Sequence, residues 1–464
     1  MIGSDTSTAA QRPSGETATL PTRLTENASS GVQRGTGACT LAVRRRTKKA
    51  VGMRLQSRPQ RVACHGIMSR SVALFVAAIS ACASAPVVRP GIEVFVDRPP
   101  ALVRGKRVGL ITNQSGIDRR RRSTIDLLRG VPDLRLVALY SPEHGIRGVA
   151  ETRVASTVDE TTGLPVHSLY GDTEKPTPQM LEGIDVLVYD IQDLGVRQYT
   201  FESTLALAMQ AAAEKGIPIV VLDRPNPVTG TILEGNILEP AYQSFVGIYP
   251  VLSRHGMTLG ELAKMYNAEQ RIGADLTVVP VEGWRRDMWW DETGLPWVNP
   301  SPNIRRLEAA IHYPGTVFFE ATNVSEGRGT DLPFEQIGAP WLRNTEVVAT
   351  MNAMNLPGIR FEAVEFPTAE TARKYPGQVL KGVRFTLTDR ASYRPLATSL
   401  LMIDVIRRLH PDQFQWAGAT VERHGGSARL RQAIEAGTLP ELLREWERDQ
   451  ATFRTKRAPY LIYR

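Results

Sequence analysis

Short apolar runs alternate with amphipathic segments over the first half of the chain. Four runs have the length and apolar continuity of buried strands, at residues 107–112, 134–140, 184–190 and 217–222. Helix signals lie between and after them: a capping pattern at Ser123, an Ala- and Leu-rich segment over 201–214 followed by Gly216, and a capping box opening at Thr258. This alternation predicts an α/β fold with a Rossmann-like parallel sheet covered on both faces.

The pattern changes after a Trp- and Pro-rich stretch that ends near residue 303. Beyond it we expect a strand over 316–319, a polar glycine-rich loop over 323–330, and helices over 345–354 and 397–409. We therefore predict two domains. The Rossmann-like α/β domain covers residues 93–300, and a smaller α+β C-terminal domain covers residues 301–464.

The N-terminal region lacks a sustained apolar period and is rich in Ser, Thr, Gly and Arg. Residues 1–67 are therefore expected to be a disordered leader, or an extension upstream of a true start at Met68 or Met53. Residues 68–82 combine a basic head, a brief apolar run and small residues, which is typical of a secretory signal. Their end, Ile79-Ser80-Ala81-Cys82, resembles a bacterial lipobox. We expect lipidation of Cys82 and a tether over 83–92.

These segments set the expected location and partners. Residues 1–67 carry 11 Lys and Arg against 3 Asp and Glu, which accounts for the whole net charge of +8. The remainder is neutral, so nothing in its charge indicates a nucleic-acid partner. Cleavage before Cys82 would leave that residue as the sole cysteine of the mature chain. The expectation is an exported, periplasm-facing lipoprotein of the cell envelope, held at the membrane by its lipid.

The densest group of reactive side chains follows the second predicted strand directly, in the run Ser141-Pro142-Glu143-His144-Gly145-Ile146-Arg147-Gly148. In open α/β sheets, ligands bind at the carboxyl ends of the strands. Glu143 is therefore a candidate general acid, with His144 orienting it or binding substrate. The alternative is a structural turn in which Glu143 caps a helix and His144 donates to a carbonyl.

Further polar residues follow other predicted strands, and each has a structural alternative. Asn113 follows the first strand, Asp190 ends the third and Asp193 with Arg197 follows it, and Asp223 and Arg224 follow the fourth. Asp193 could instead pair with Arg197 at helical spacing, and Asp223 with Arg224 could stabilise a turn. His255 is a weaker ligand candidate, because a single histidine is more often structural.

A second polar patch lies in the C-terminal half, with Glu320, Asn323, Glu326 and Arg328. Glycines on both sides of Arg328 let the backbone approach a ligand, and a guanidinium matches the geometry of a carboxylate. Dinucleotide, nucleotide-phosphate and zinc-protease motifs are absent from the sequence, so we expect no cofactor. A metal site at Glu143, His144 and His255 would lack local ligand spacing, so no metal is expected.

The motifs together resemble a known family. The chain is similar, over about residues 93–464, to the exo-β-N-acetylmuramidases of glycoside hydrolase family 171 in seven ordered segments: 113–116, 141–145, 190–197, 222–227, 255–258, 301–303 and 322–330. The resemblance implies a site in the cleft between two domains. It also implies release of N-acetylmuramic acid from the non-reducing end of peptidoglycan fragments, with Glu143 as acid/base. One departure is Ala321, where the family would have Gly.

This reaction gives each candidate residue an expected role. The catalytic candidates are Glu143, His144, Asp190 and Glu326, with Glu326 the next candidate acid after Glu143. The substrate-binding candidates are Asn113, Asp193, Arg197, Asp223, Arg224, His255, Asn323 and Arg328. Arg328 would bind the lactyl carboxylate of the sugar, and aromatic surface for its ring would come from Trp284, Trp289, Trp290 and Trp297. The alternatives are a non-catalytic muropeptide-binding lipoprotein and a metal-dependent hydrolase.

Overall fold

A computed structural model of the chain describes residues 87–150 and 155–464. The predicted leader, the signal segment with Cys82, and residues 83–86 of the tether lie outside the described residues. Within the described part no helix is long and apolar enough to cross a membrane.

The larger sheet has seven strands in the order β3-β4-β2-β1-β5-β6-β9. All neighbouring pairs are parallel except β3 with β4. The chain moves outward from β1 through β2 to β4, and then returns to the other side of β1 through β5, so a topological switch point lies between β1 and β5. The strands are β1 Lys106–Thr112, β2 Leu134–Ser141, β3 Thr157–Val158, β4 Pro165–Ser168, β5 Val186–Asp190, β6 Ile219–Leu222 and β9 Leu276–Val279.

Both faces of this sheet are buried, as the continuous apolar runs predicted. Ile111 on β1 and Leu187 on β5 pack into one hydrophobic cluster. Val108 on β1 and Val186 on β5 point the other way and pack into a second cluster. Because side chains alternate along a strand, a sheet covered on both faces needs apolar residues at successive positions. The Rossmann-like prediction is therefore confirmed.

The helices begin and end largely where the sequence signals lie. Ser123 caps α2 by accepting a hydrogen bond from the Asp126 N–H, Thr258 and Glu261 form a complete capping box on α4, and Gly216 ends α3 in the left-handed conformation. The helices are α1 Gly91–Asp97, α2 Thr124–Arg129, α3 Phe201–Lys215, α4 Leu259–Glu269, α5 Leu307–Thr316, α6 Asn344–Ala353, α7 Pro395–Leu409, α8 Thr420–Gly425, α9 Arg429–Ala436 and α10 Leu439–Arg457.

The C-terminal part is α+β, as predicted. It holds an antiparallel sheet in the order β10-β12-β11, together with helices α5 to α10. A separate hairpin joins two strands of the preceding half. The strands are β7 Glu234–Ile237 and β8 Leu252–Arg254 in the hairpin, and β10 Gln336–Ala339, β11 Ile359–Pro367 and β12 Val379–Leu387 in the sheet.

The strand expected over 316–319 is wrong. Thr316 is the last residue of α5, and a 3-10 helix continues over Val317–Ala321. The local run of β-branched and aromatic residues favours a strand. Tertiary packing decides otherwise, because Val317, Phe318 and Phe319 are all buried in the main core when the backbone stays helical.

Candidate functional site

The loop after β2 presents Glu143 at the carboxyl edge of the large sheet. The strand ends at Ser141, and the backbone then turns back through positive φ at His144 (71°) and Gly145 (75°). The Thr200 hydroxyl, at the start of α3, donates to Glu143 Oε2 at 2.6 Å. This contact holds the Glu143 carboxyl between the loop after β2 and the start of α3. The spacing of the two residues in the sequence did not indicate it.

Glu143 opens into a cavity of about 690 Å³ formed by both halves of the chain. Such a volume is in the usual range for small-molecule sites. Polar and charged side chains dominate the lining, which consists of Glu143, His144, Tyr170, Glu174, Gln198, Tyr199, Thr200, Ser244, Phe245, Val246, Ser301, Tyr313, Glu320, Glu326, Arg328, Phe334, Arg373, Lys374, Thr420, Arg423 and His424.

Four predicted site residues therefore come together: Glu143, His144, Glu326 and Arg328. The two patches that contain them are almost 180 residues apart in the sequence. Their meeting agrees with the expected cleft site. His144 Nδ1 lies 2.7 Å from the carbonyl oxygen of Ala150, so one ring nitrogen is used to hold the loop.

The wall contributed by the C-terminal half is a network of paired charges. Arg328 donates to Glu320 Oε1 at 2.5 Å, and its Nε lies 3.3 Å from Glu326 Oε1. Lys374 donates to the other oxygen of Glu326 at 2.9 Å. Burial opposes ionisation of Glu320, but the charge of Arg328 and a hydrogen bond from His424 outweigh it and hold the pKa of Glu320 below its ordinary value.

Glu143 differs from these carboxyls because its neighbours are hydroxyl groups. Among the described residues it is in no ion pair, and its partners are the hydroxyls of Thr200 and Tyr170. Burial, followed by the charge of Glu143, raises the pKa of Tyr170, so the phenol stays protonated and donates. Glu143 is thus held by two hydroxyl donors and by no cation among the described residues.

Aromatic side chains line the cavity, but they are not the expected tryptophans. Tyr170 and Phe245 lie with ring centroids 6.0 Å apart, and Tyr313 packs edge-on against Phe334 at 4.9 Å. Of the four expected residues, Trp284, Trp289 and Trp290 are buried, and none of the four lines the cavity. Trp289 packs in the main hydrophobic core, and Trp284, Trp290 and Trp297 pack in a separate cluster, so the expected tryptophans form no aromatic platform in this cavity.

The switch point of the sheet is closed by an ion pair. Arg224 donates from Nε and Nη2 to the two oxygens of Asp190, at 2.5 and 2.9 Å, and Asp190 is completely buried. The Thr124 hydroxyl also donates to Asp190. Arg224 lines, together with Trp290 and Leu295, a space of about 10 Å³, no more than one water requires. Asp190 and Arg224 therefore lie outside the cavity, and their contacts are structural.

Asp223 and Asn113 are also used within the fold. Asp223 accepts hydrogen bonds from Thr258, from the Gly260 N–H and from Tyr463, which fixes the start of α4 and the C-terminal segment. Burial raises the pKa of Asp223 to about 6. Asn113 accepts from the backbone N–H of Ser115 at 2.9 Å and closes the turn after β1. Neither residue lines the cavity.

Three further candidates lie behind the cavity lining. Arg197 is fully buried and donates to the carbonyls of Asn236, Val251 and His424. His255 is fully buried, and burial followed by the charges of Arg457 and Arg197 lowers its pKa to about 3, so it stays neutral. Asn323 Nδ2 donates to Gln413 O, and its Oδ1 accepts from Gln415 N–H. These contacts are structural, and Arg197 holds the backbone of His424, which does line the cavity.

The described part of the chain contains no group of three or more His, Cys, Asp or Glu side chains arranged to hold a metal ion. In particular, His255 does not line the cavity that contains Glu143 and His144.

Asp193 makes stability depend on pH. Its Oδ2 accepts from the Gly195 N–H at 2.6 Å, its Oδ1 has no hydrogen-bond partner among the described residues, and burial raises its pKa to about 7. In the unfolded chain the pKa of an Asp side chain is about 3.9. Between the unfolded and the folded pKa, the folded state holds a proton that the unfolded state has lost, so the folded protein loses stability as pH rises through this interval. Asp193→Asn should therefore gain stability relative to the parent by up to a few kcal/mol between about pH 4 and about pH 7.

Urea unfolding of the parent and Asp193→Asn across this interval measures the effect. The difference in unfolding free energy should level off above about pH 7. A difference that stays constant with pH would mean that Asp193 is ionised in the folded protein throughout.

Several lining residues were missed by sequence reasoning, namely Tyr170, Thr200, Arg373, Lys374, Arg423 and His424. Tyr170 follows β4, so the strand-end rule could have found it had that short strand been predicted. Lys374 lies in the connection between β11 and β12 and carried no local signal.

Comparison with known proteins agrees with this arrangement. The N-terminal model of the exo-beta-N-acetylmuramidase NamZ family matches residues 108–308, and its C-terminal model matches residues 311–463. The chain belongs to this family. It is therefore an enzyme, a glycoside hydrolase, and the family named from the sequence motifs is confirmed.

Relatives at the level of whole chains support the assignment. The peptidoglycan beta-N-acetylmuramidase NamZ of Bacillus subtilis (strain 168) is 46% identical over 385 residues, covering 82% of this chain and 92% of the relative. Two crystal structures of DUF1343 family proteins from Bacteroides fragilis NCTC 9343 are similar in fold. BF0371 has a TM-score of 0.76 at 37% identity, and BF0379 has 0.65 at 32%; each comparison covers 81% of this chain and 99% of the other.

Proposed function

We propose that the enzyme releases N-acetylmuramic acid from the non-reducing end of peptidoglycan fragments, with Glu143 as the general acid. The observation that carries this is the environment of Glu143: a carboxyl in the cavity, held by two hydroxyls and outside any ion pair among the described residues. The peptidoglycan activity in the name of the Bacillus subtilis relative supports the substrate class.

The acid role follows from the chemistry of the bond. Cleavage leaves negative charge on the departing sugar oxygen, and a carboxylic acid in reach can neutralise it by donating its proton. Thr200 and Tyr170 donate to Glu143, so they fix the direction in which the carboxyl points. Glu320 and Glu326 line the same cavity, where they are paired with Arg328 and Lys374, so Glu143 is distinguished from them by having no cation beside it among the described residues.

The substrate's lactyl carboxylate requires a cation that is not already paired. Arg328, the expected partner, lies between Glu320 and Glu326, so two carboxylates already neutralise its charge. Arg373 and Arg423 also line the cavity, are exposed, and are in no ion pair among the described residues. We therefore assign carboxylate recognition to Arg423 on α8, with Arg373 beside it.

Arg423→Gln should reduce kcat/KM for a β-N-acetylmuramide by about 10-fold, the effect of losing one charge-assisted hydrogen bond. Turnover of the matching β-N-acetylglucosaminide, which lacks the lactyl group, should hardly change. Arg408→Gln, an exposed arginine on α7, is the control. Equal losses on both substrates would remove Arg423 from recognition of the carboxylate.

The overall activity is tested with the purified protein on a chromogenic β-N-acetylmuramide and on peptide-free glycan chains. Free N-acetylmuramic acid should be the first product from the chains, because an exo-acting enzyme removes one terminal residue at a time. Internal fragments appearing first would contradict the exo mode.

We also propose that the enzyme is exported and anchored through a lipid on Cys82. The apolar run ending in Ile79-Ser80-Ala81-Cys82 supports this proposal. Mass spectrometry of the protein isolated from membranes should give an N-terminal Cys82 carrying a diacylglycerol. An intact N-terminus upstream of Met53 would contradict both the expected start and the anchor.

A further inference from the structure

A second cavity adjoins the one that contains Glu143. It has a volume of about 650 Å³ and shares two lining residues, Arg328 and Arg373, with the first. Its other walls come from residues before α5, from β10 and β12, and from the connection between β11 and β12. We call it the arginine groove, after Arg305, Arg328, Arg373 and Arg384 in its lining.

The charge of the groove is strongly unbalanced. Its lining holds four arginines against one acidic residue, Asp331. Arg328 is neutralised by Glu320 and Glu326, whereas Arg305, Arg373 and Arg384 are in no ion pair among residues 87–150 and 155–464. Three unpaired guanidinium groups around one groove create a positive potential that an anionic ligand would relieve.

Two of these arginines are already held in place. Arg305 donates to the backbone carbonyls of Pro302 and Thr330 at 3.2 and 3.3 Å. Arg384 makes a long contact of 3.4 Å with Gln336 Oε1. Side chains fixed in this way lose little entropy on binding.

We propose that the arginine groove binds a carboxylate on the leaving part of the substrate. This rests on the proposed function, because the terminal muramyl residue fills the cavity at Glu143 and the rest of the glycan must leave beside it. The next muramyl residue, one disaccharide further along, carries a lactyl carboxylate of its own. The carboxylates of an attached peptide offer the same chemistry, so the ligand is an anionic, carboxylate-bearing leaving group.

The test compares three substrates and three proteins. The substrates are the disaccharide N-acetylmuramyl-N-acetylglucosamine, the tetrasaccharide that repeats it, and the tetrasaccharide with a peptide on its second muramyl residue. The proteins are the parent, Arg305→Gln and Arg305→Gln/Arg384→Gln. Arg360→Gln, an exposed arginine on β11 outside the groove, is the control.

The parent should cleave the tetrasaccharide that presents the recognised carboxylate with a higher kcat/KM than the disaccharide. The double variant should lose about 10-fold in kcat/KM on a tetrasaccharide, from the loss of charge-assisted contacts, while the disaccharide stays within about twofold. Loss on the peptide-free tetrasaccharide identifies the lactyl carboxylate, and loss confined to the peptide-bearing one identifies the peptide. Both outcomes support the groove.

Equal effects on all three substrates, or no effect on any, would overturn the proposal. Arg305 is exposed, so its single variant should fold normally and give a smaller loss in the same direction even if the double variant is unstable. Failure of the parent on the disaccharide would contradict the proposed function itself. That result is distinct from a groove that makes no contribution.

Discussion

Glu143→Gln should lower turnover of a natural muramyl disaccharide by about 10²-fold or more while leaving the fold and sugar binding intact. Glutamine has the shape of the carboxyl and can still accept from Thr200, but it cannot give a proton to the departing oxygen. The loss should therefore fall on kcat, with little change in the dissociation constant of the product sugar.

A comparison of substrates with different leaving groups gives a sharper test of the acid role of Glu143. Aryl glycosides whose phenol departs without protonation should lose much less activity in Glu143→Gln than the disaccharide does. Glu182→Gln, at an exposed glutamate between β4 and β5, is the matched control and should behave like the parent. Near-normal cleavage of the disaccharide by a well-folded Glu143→Gln protein would transfer the acid role to Glu326, the other carboxyl among the catalytic candidates that line the cavity.

The sheet domain could be predicted well because its signals are local. Apolar runs of strand length, Ser123 and Thr258 as helix caps, and Gly216 as a stop each act within a few residues. The strand predicted over 316–319 failed where burial of Phe318 and Phe319 outweighed a local preference. In the C-terminal half, the pairing of β11 with β12 has no comparable local signal, whereas the start of α10, with Thr438, Pro440 and Glu441, carries a helix signal that the sequence analysis did not use.

The site was only partly predictable, for a reason of topology. The strand-end rule leads to Glu143 on the loop after β2, but it leads equally to Asp190 after β5. In this fold the switch point is filled by the Asp190–Arg224 pair, so the cavity forms beside it. Lys374 and Arg423 reach the cavity only through the packing of the C-terminal half, which no local pattern encodes.

The buried ion pair between Asp190 and Arg224 gives the largest expected effect on stability. Arg224→Met should reduce the free energy of unfolding by about 3–5 kcal/mol, because it leaves the Asp190 carboxylate buried without its cation. Asp190 is completely buried and Arg224 is 5% exposed, so water cannot replace the lost partner. The double variant Asp190→Asn/Arg224→Met should recover most of the loss, since no charge then remains buried and the amide oxygen can still accept from Thr124.

Urea unfolding of the parent, the two single variants and the double variant gives the coupling between Asp190 and Arg224 as a double-mutant cycle. Arg107→Gln, which breaks an exposed ion pair with Asp185, is the control and should leave stability almost unchanged. Activity separates a structural role from a catalytic one. Because the pair lies outside the cavity, the folded double variant should cleave the disaccharide nearly as fast as the parent. A stable double variant with a loss as large as that of Glu143→Gln would instead restore Asp190 to the catalytic residues.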